Sequence, residues 1–467
     1  VPGTHGEIAD GGRSIHRTEI DMTASSLAHK DKQYLLHPYT DAISHQEKGP
    51  LIIERGEGIF VFDEQGKDYI EGMSGLWSVA LGFNNTRLIE AAHKQLNSLP
   101  FYHLFSHKSH RPSIELAEKL IEMAPVPMSK VFFTNSGSEA NDTVVKLVWF
   151  LNNALGRPQK KKFIARQNAY HGITVASASL TGLPANHRGF DLPLPGFLHV
   201  GCPHHYRHAS PGESEEAFAT RLADELEQTI LAEGADTIAA FIGEPLMGAG
   251  GVIVPPRTYW QKIQAVLRRH DILLIADEVI CGFGRTGQMF GSQTFDIKPD
   301  IMVLSKQLTS SYQPLAAVLI NEAVYQGIAV QTGQYGTLGH GFTASGHPVA
   351  TSVALENIRI IEEQNLVTHA AALGEQMQSA LRDLVGHPLV GEVRGCGLIA
   401  AVELVGNKAD KSPLHSTGHL GRYLVGRAQE HGLISRAMGD ALAFCPPLIT
   451  SHAEMQLLLQ RFSQALD

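Results

Sequence analysis

Cysteine is scarce in this chain: Cys202, Cys281, Cys396 and Cys445 are its four, far apart and without a CxxC pair. That argues against a disulfide scaffold or a zinc ribbon, and for the reduced thiols of a cytoplasmic protein. No uninterrupted apolar run approaches the roughly 18 residues of a membrane span. Nor does the N-terminus carry a basic stretch followed by an apolar core, so no export signal is read. Basic residues number 38 against 47 acidic ones, a net charge of −9. A phosphate-backbone binder carries the opposite sign, so neither nucleic acid nor membrane is an expected partner. Internal repeats and low-complexity tracts are also missing. What is present, 43% hydrophobic and 18% charged residues over 467 positions, suits one large α/β subunit with a satellite domain.

Residues 1–21, rich in Gly, His and charge, read as a leader or flexible extension before a natural start at Met22. From about Asp63 to Lys306, short apolar runs alternate with amphipathic stretches. Strands are expected at Lys130–Phe133, Phe163–Ala165, Thr237–Ile242, Asp271–Ala276 and Ile301–Leu304. Helices are expected at Pro112–Met123, Glu139–Leu155, Glu215–Ala232 and Arg257–His270, from apolar spacing of three and four. Such alternation predicts a mainly parallel sheet covered on both faces. After His347 a long helix runs through Ile360, followed by more helix and by short strands around a Gly-rich turn in Leu389–Leu404. The expected domains are residues 22–73 with 347–467 as a smaller α+β lobe, and 74–346 as the large one.

Open parallel sheets bind ligands at the carboxyl ends of their strands. There, Ser136-Gly137-Ser138 open a helix, an arrangement of free N–H groups and hydroxyls that can cradle an anion, or simply cap the helix. Tyr170 follows the second strand, where an aromatic ring can stack on a planar ligand or sit in the core. Glu244 follows the third, before the glycines Gly248, Gly250 and Gly251. Asp277-Glu278 close the fourth and Lys306 follows the fifth, where a buried lysine can form a Schiff base. Each signal is ordinary alone. Together they are the parts pyridoxal 5'-phosphate (PLP) requires: a phosphate cradle, a ring-stacking aromatic, a carboxylate for the pyridine nitrogen and a lysine for the aldehyde.

The segments FFTNSGSEANDT (132–143), AYHG (169–172), GEPLMGAGGVIVPP (243–256), LLIADEVICGFGRTG (273–287), LSKQLTS (304–310) and HGFTASGHP (340–348) carry a family likeness. From about Tyr39 to Leu458 the chain resembles the class III, or omega-, aminotransferases of the fold type I PLP enzymes. Within them it is similar to bacterial omega-amino acid and polyamine:pyruvate transaminases. The resemblance implies Lys306 as the Schiff-base lysine and Asp277 as partner of the ring nitrogen. It implies Ser136, Gly137 and Ser138 at the phosphate, Tyr170 on the ring, Val279 beneath it and Glu244 among the cofactor-binding residues. Thr343 would reach the phosphate from the second subunit of a homodimer or tetramer. Trp77, Phe105 and Tyr170 would wall the substrate, and Arg436 matches the family's mobile arginine, suited to a carboxylate. Ala344 departs from the pattern, since many relatives carry Tyr there. The implied reaction moves an amino group from a terminal amine or omega-amino acid (diamine, 6-aminohexanoate-like or β-alanine-like) to pyruvate. An aminomutase or decarboxylase of the same fold, and a non-catalytic PLP-binding module, are the rival readings.

Two further motifs point elsewhere. Gly282–Gly287 matches GxGxxG, but the fingerprint normally lies in the first strand–helix unit with an acid about 20 residues later. Here Asp277 and Glu278 precede the glycines, which argues against a nicotinamide site. His103, His107 and His110, and again Cys202, His204, His205 and His208, cluster in sequence. The first set lacks a zincin glutamate and the second a Cys pair, so no metal is expected.

Overall fold

The computed structural model describes residues 26–467. The proposed leader and start at Met22 lie outside the described residues. The chain divides into two compact units, one ending at Glu54 and the other comprising Arg55–Asp467. In the first, the described residues form two short helices, Leu27–Tyr34 and Ala42–Lys48.

The second unit is built on a seven-stranded sheet in the order Lys130–Thr134, Ala316–Ile320, Ile301–Leu304, Leu273–Asp277, Ile238–Gly243, Lys162–Arg166, Phe197–Val200. Only Ala316–Ile320 runs antiparallel to its two neighbours. Successive side chains of the central strands go to opposite faces, and both are buried. Ile242, Ile275 and Val303 pack with Val144 and Val148 of the helix Gly137–Ala154. Phe241 and Leu274 pack on the other side with Leu226 and Ile263, from the helices Glu215–Glu233 and Tyr259–Arg269.

All five expected strands form, with boundaries shifted for identifiable reasons. Asp271 is not strand: it takes a left-handed φ of 51°, and Ile272 N donates to Leu267 O to close the preceding helix. The helix expected from Glu139 begins two residues earlier, because Ser136 Oγ accepts the Glu139 N–H at 3.2 Å and caps it. That from Arg257 begins at Tyr259 instead, after a turn in which Tyr259 N donates to Pro256 O. Two strands, Phe197–Val200 and Ala316–Ile320, were not anticipated. The second returns beside Ile301–Leu304 without an intervening long helix, so strand–helix alternation does not announce it.

Two smaller sheets flank this core. Val390–Gly395, Ala400–Leu404, Ala441–Phe444 and Arg436–Met438 form one in that order. In the other, Leu433–Ile434 pairs parallel with Asp68–Glu71, joining chain segments more than 360 residues apart. No described helix is long and apolar enough to cross a membrane.

Candidate active site

Register brings the strand-end residues together. Asp277 ends its strand opposite Val303, so it stands beside the segment that leads three residues later to Lys306. Ala276 pairs with Gly243, which sets Glu244 next along. A cavity of about 130 Å³ opens here, lined by Gly137, Ser138, Asn141, Tyr170, His171, Gly172, Glu244, Asp277, Val279, Ile280, Ser305 and Lys306.

Asp277 is held on several sides. Its Oδ2 accepts from Asn141 Nδ2 at 3.0 Å and from His171 Nδ1 at 2.8 Å, and its Oδ1 accepts from Val279 N at 3.2 Å. An ionised carboxylate accepts only, so it satisfies all three donors. Burial pushes the Glu244 carboxyl above its ordinary range, with the Asp277 charge adding to the effect. Glu244 accepts from Tyr170 N at 3.0 Å and Gly248 N at 2.9 Å, tying the aromatic loop to the glycine-rich turn.

Lys306 starts a short 3-10 turn in a left-handed conformation, φ 48°, with Nζ 6.0 Å from the Tyr170 ring centre. Burial lowers its pKa; the Asp277 and Glu244 carboxylates oppose that, and the Arg436 charge adds to it. More of the amine is then neutral at physiological pH, as a nucleophile or general base requires. The next residue is pinned: Gln307 donates to Ile280 O and Gly282 O and accepts from Arg285 at 3.1 Å. Arg285 also donates to Leu398 O and Pro446 O. The GxGxxG segment thus serves as a buried brace beside Lys306.

The cradle fits a phosphate-bearing ring. Ser136 caps the helix, and Gly137 and Ser138 lie in its first turn, where N–H groups lack intrahelical acceptors. A Cβ on Gly137 would stand 3.4 Å from Val279, narrowing the cavity at its floor. Asn141 Oδ1 and His171 Nε2 are buried without a hydrogen-bond partner beside the cavity, leaving polar capacity for a ligand.

Five sequence-predicted residues lie outside the cavity lining, the helix cap Ser136 among them. Trp77 is 1% exposed and packs in a cluster with Ile280 and Cys445, one layer behind the wall. Arg436 is partly buried in a short strand, paired with Ala443. Phe105 lines a separate groove of about 940 Å³ together with Phe132, His340 and Gly341. Its ring packs so closely on Gly341 that a Cβ there would come within 2.8 Å. Exposed Thr343 is two residues further along the same loop.

Asn141 and His171 were not singled out by residue-level reasoning. Asn141 is one helical turn after Gly137, so it shares the cradle's face, a signal that spacing carries. His171 follows Tyr170 on a loop whose course spacing does not predict. The histidine sets do local work: His110 caps a helix, and His205 Nε2 lies 2.8 Å from Glu213 O.

Comparison with known proteins identifies the family. The Aminotransferase class-III family model matches residues 42–466, and the chain belongs to that family. It is therefore a PLP-dependent transaminase of fold type I. The omega transaminase from Pseudomonas jessenii, solved in complex with PMP, is 76% identical with a TM-score of 0.94, covering 95% of this chain and 98% of that one. A transaminase structure with L-ala is 66% identical, TM-score 0.88, covering 89% and 98%. Gamma aminobutyrate transaminase 1, mitochondrial, of Solanum lycopersicum is 52% identical over 92% of this chain and 84% of that protein.

Proposed function

We propose that this transaminase takes the amino group of a terminal primary amine or omega-amino acid and passes it to pyruvate, giving an aldehyde or ketone and alanine. The observation that carries the reading is the cavity that gathers Lys306 and Asp277, with Arg436 outside its lining yet near enough for its charge to help lower the Lys306 pKa. A guanidinium there suits the carboxylate of a small keto acid, and a donor with no α-carboxylate can do without it. The L-ala complex of one relative fits the acceptor, since alanine is aminated pyruvate; the aminobutyrate transaminase name fits an omega-amino acid donor.

Bound in the cavity, PLP supplies an aldehyde for the amino group and a ring that accepts the electron pair left on the donor's Cα. Asp277, oriented by Asn141 and His171, would hold positive charge at the ring nitrogen. Gly137, Ser138 and the cap residue Ser136 would hold the phosphate, and Tyr170 and Val279 would pack against the ring. Glu244 fixes Tyr170 through its backbone N–H. Lys306 would take a proton from the donor's Cα as general base and, as general acid, deliver it to the cofactor carbon that carried the aldehyde.

The active unit in this reading is a homodimer or tetramer. Phe105 packs on Gly341, two residues before exposed Thr343, and both Phe105 and Thr343 lie outside the chain's own cavity lining, which suits service to a partner's site. Four free cysteines, three of them buried, suit the cytoplasm.

A donor panel assayed with pyruvate and with 2-oxoglutarate tests this. Amine-dependent alanine formation supports it; preference for 2-oxoglutarate overturns the acceptor assignment. Turnover of an amine without any keto acid would favour the mutase or decarboxylase reading.

A further inference from the structure

The helical pair of the first unit holds a polar group that transamination does not use. Ser26 caps Leu27–Tyr34, and Asp41 caps Ala42–Lys48 by accepting from Ile43 N at 2.9 Å and Ser44 N at 3.2 Å. Asp31 comes from the first helix, His45 from the second, and His37 from the connection. Asp31 Oδ1 lies 2.7 Å from His45 Nε2, and Asp31 Oδ2 lies 2.9 Å from His37 Nε2. The imidazole centres are 4.2 Å apart and tilted by 39°. Three ligand atoms therefore converge within 4.8 Å of one another.

We propose that Asp31, His37 and His45 form a divalent transition-metal site, with Zn²⁺ the ion whose preferences they match. Two imidazole nitrogens and one carboxylate oxygen are a common three-ligand set for zinc, with bonds of about 2.0–2.2 Å. Around a tetrahedral ion such ligands stand roughly 3.3 Å apart, so the observed separations need widen by only about half an ångström. The side chains have room to do so: the same hairpin encloses a cavity of about 230 Å³ lined by His37, Thr40, His45 and Gln46, with space for water as fourth ligand. On binding, each neutral imidazole presents its Nε2 lone pair and keeps its proton on Nδ1; a proton on a charged ring leaves to solvent. No redox change is involved.

Among the described residues, one other His/carboxylate cluster converges as closely, His204 with Glu392 and Glu403. There the charge is already met by Arg394, 2.8 Å from Glu392 and 2.7 Å from Glu403, and by Arg207 at 2.6 Å from Glu403. Asp31 has two imidazoles instead of a permanent cation, so its charge remains available to a metal. An ion here would cross-link the two helices.

The test is calorimetric titration of Zn²⁺ into full-length holoenzyme stripped with chelator and then freed of it. Wild type and His204→Ala should each take up one equivalent per chain, and His37→Ala and His45→Ala should lose it. Asp31→Asn, which preserves shape, should bind more weakly. Co²⁺ should add the visible band of a nitrogen/oxygen site without a thiolate charge-transfer band, and the His37→Ala difference spectrum should lack it. Absence of saturable binding in wild type, uptake unchanged in both histidine variants, or a thiolate band would overturn the proposal.

Discussion

The strand-end cavity and the Phe105 groove, two neighbourhoods of the same fold, are stabilised in opposite ways. In the cavity, Asp277 is 3% exposed and Glu244 is 2% exposed, and each accepts hydrogen bonds from loops that follow other strands. In the groove, Phe105 is 44% exposed and its neighbours come from the loop that carries Thr343. The cavity is closed by one chain's own sheet register. The groove presents apolar surface of a kind that usually meets something else.

The largest effect expected from breaking the first region is at Lys306. Lys306→Ala should abolish turnover with the fold intact, and borohydride reduction of wild type should leave the cofactor attached to the Lys306 peptide. Asp277→Asn should retain cofactor but lose orders of magnitude in kcat, each tenfold loss corresponding to about 1.4 kcal/mol of barrier. Near wild-type rates in either variant, at full cofactor occupancy, would remove that residue from the chemistry.

Mixing subunits sharpens the contrast itself. If Thr343 serves the neighbouring site, a mixed dimer of Lys306→Ala and Thr343→Ala chains has one site with both lesions and one with neither. Activity should then return on exchange. No recovery between demonstrably exchanging, crippled parents would assign Thr343 to its own chain's cavity.

A smaller effect is expected at Arg436. Arg436→Ala should slow the pyruvate half-reaction by roughly 2–4 kcal/mol, the scale of a desolvated charge-assisted pair, and leave a carboxylate-free amine nearly unaffected. Stopped-flow traces of the two half-reactions separate these outcomes; equal losses would make Arg436 structural.

The last prediction concerns stability. Burial raises the Glu71 carboxyl from 4.5 to about 7, although Met73 N and Gly75 N donate to it. It ends the strand before a turn in which Ser74, Gly75 and Trp77 all have positive φ. The folded state therefore keeps a proton that the unfolded chain gives up, and stability falls as pH rises from 4.5 to about 7. Glu71→Gln retains an acceptor for Met73 N and cannot ionise. It should gain on the order of 2–3 kcal/mol relative to wild type between about pH 5 and about pH 8. Thermal midpoints at the two pH values should show the wild-type gap narrowing in the variant. A constant gap would mean that Glu71 titrates normally.

The candidate site was legible to differing depths. Lys306, Asp277, Glu244 and Tyr170 could be read because each follows an apolar run, and parallel strands gather such positions at one edge. Gly137 and Ser138 were marked by the helix pattern after them. Asn141 and His171 were missed as partners of Asp277 because their hydrogen bonds join residues 136 and 106 positions away. The strand Ala316–Ile320 escaped for a related reason: its pairing partners Lys130–Thr134 are remote, and nothing local shows that it runs antiparallel.

By itself, the sequence determined the strand–helix alternation, the cofactor those strand ends can hold and the family, since apolar periodicity and contiguous motifs are local properties. Tertiary structure decided the rest. Sheet register set Asp277 beside the turn of Lys306, and packing sent Trp77 behind the cavity wall. The loops placed Phe105 in a different groove from the residues it was grouped with and left Thr343 exposed outside the cavity. The helical pair drew Asp31, His37 and His45 together across 14 residues of chain. Convergence of this kind depends on how distant backbone segments pack, and no window along the chain contains that information.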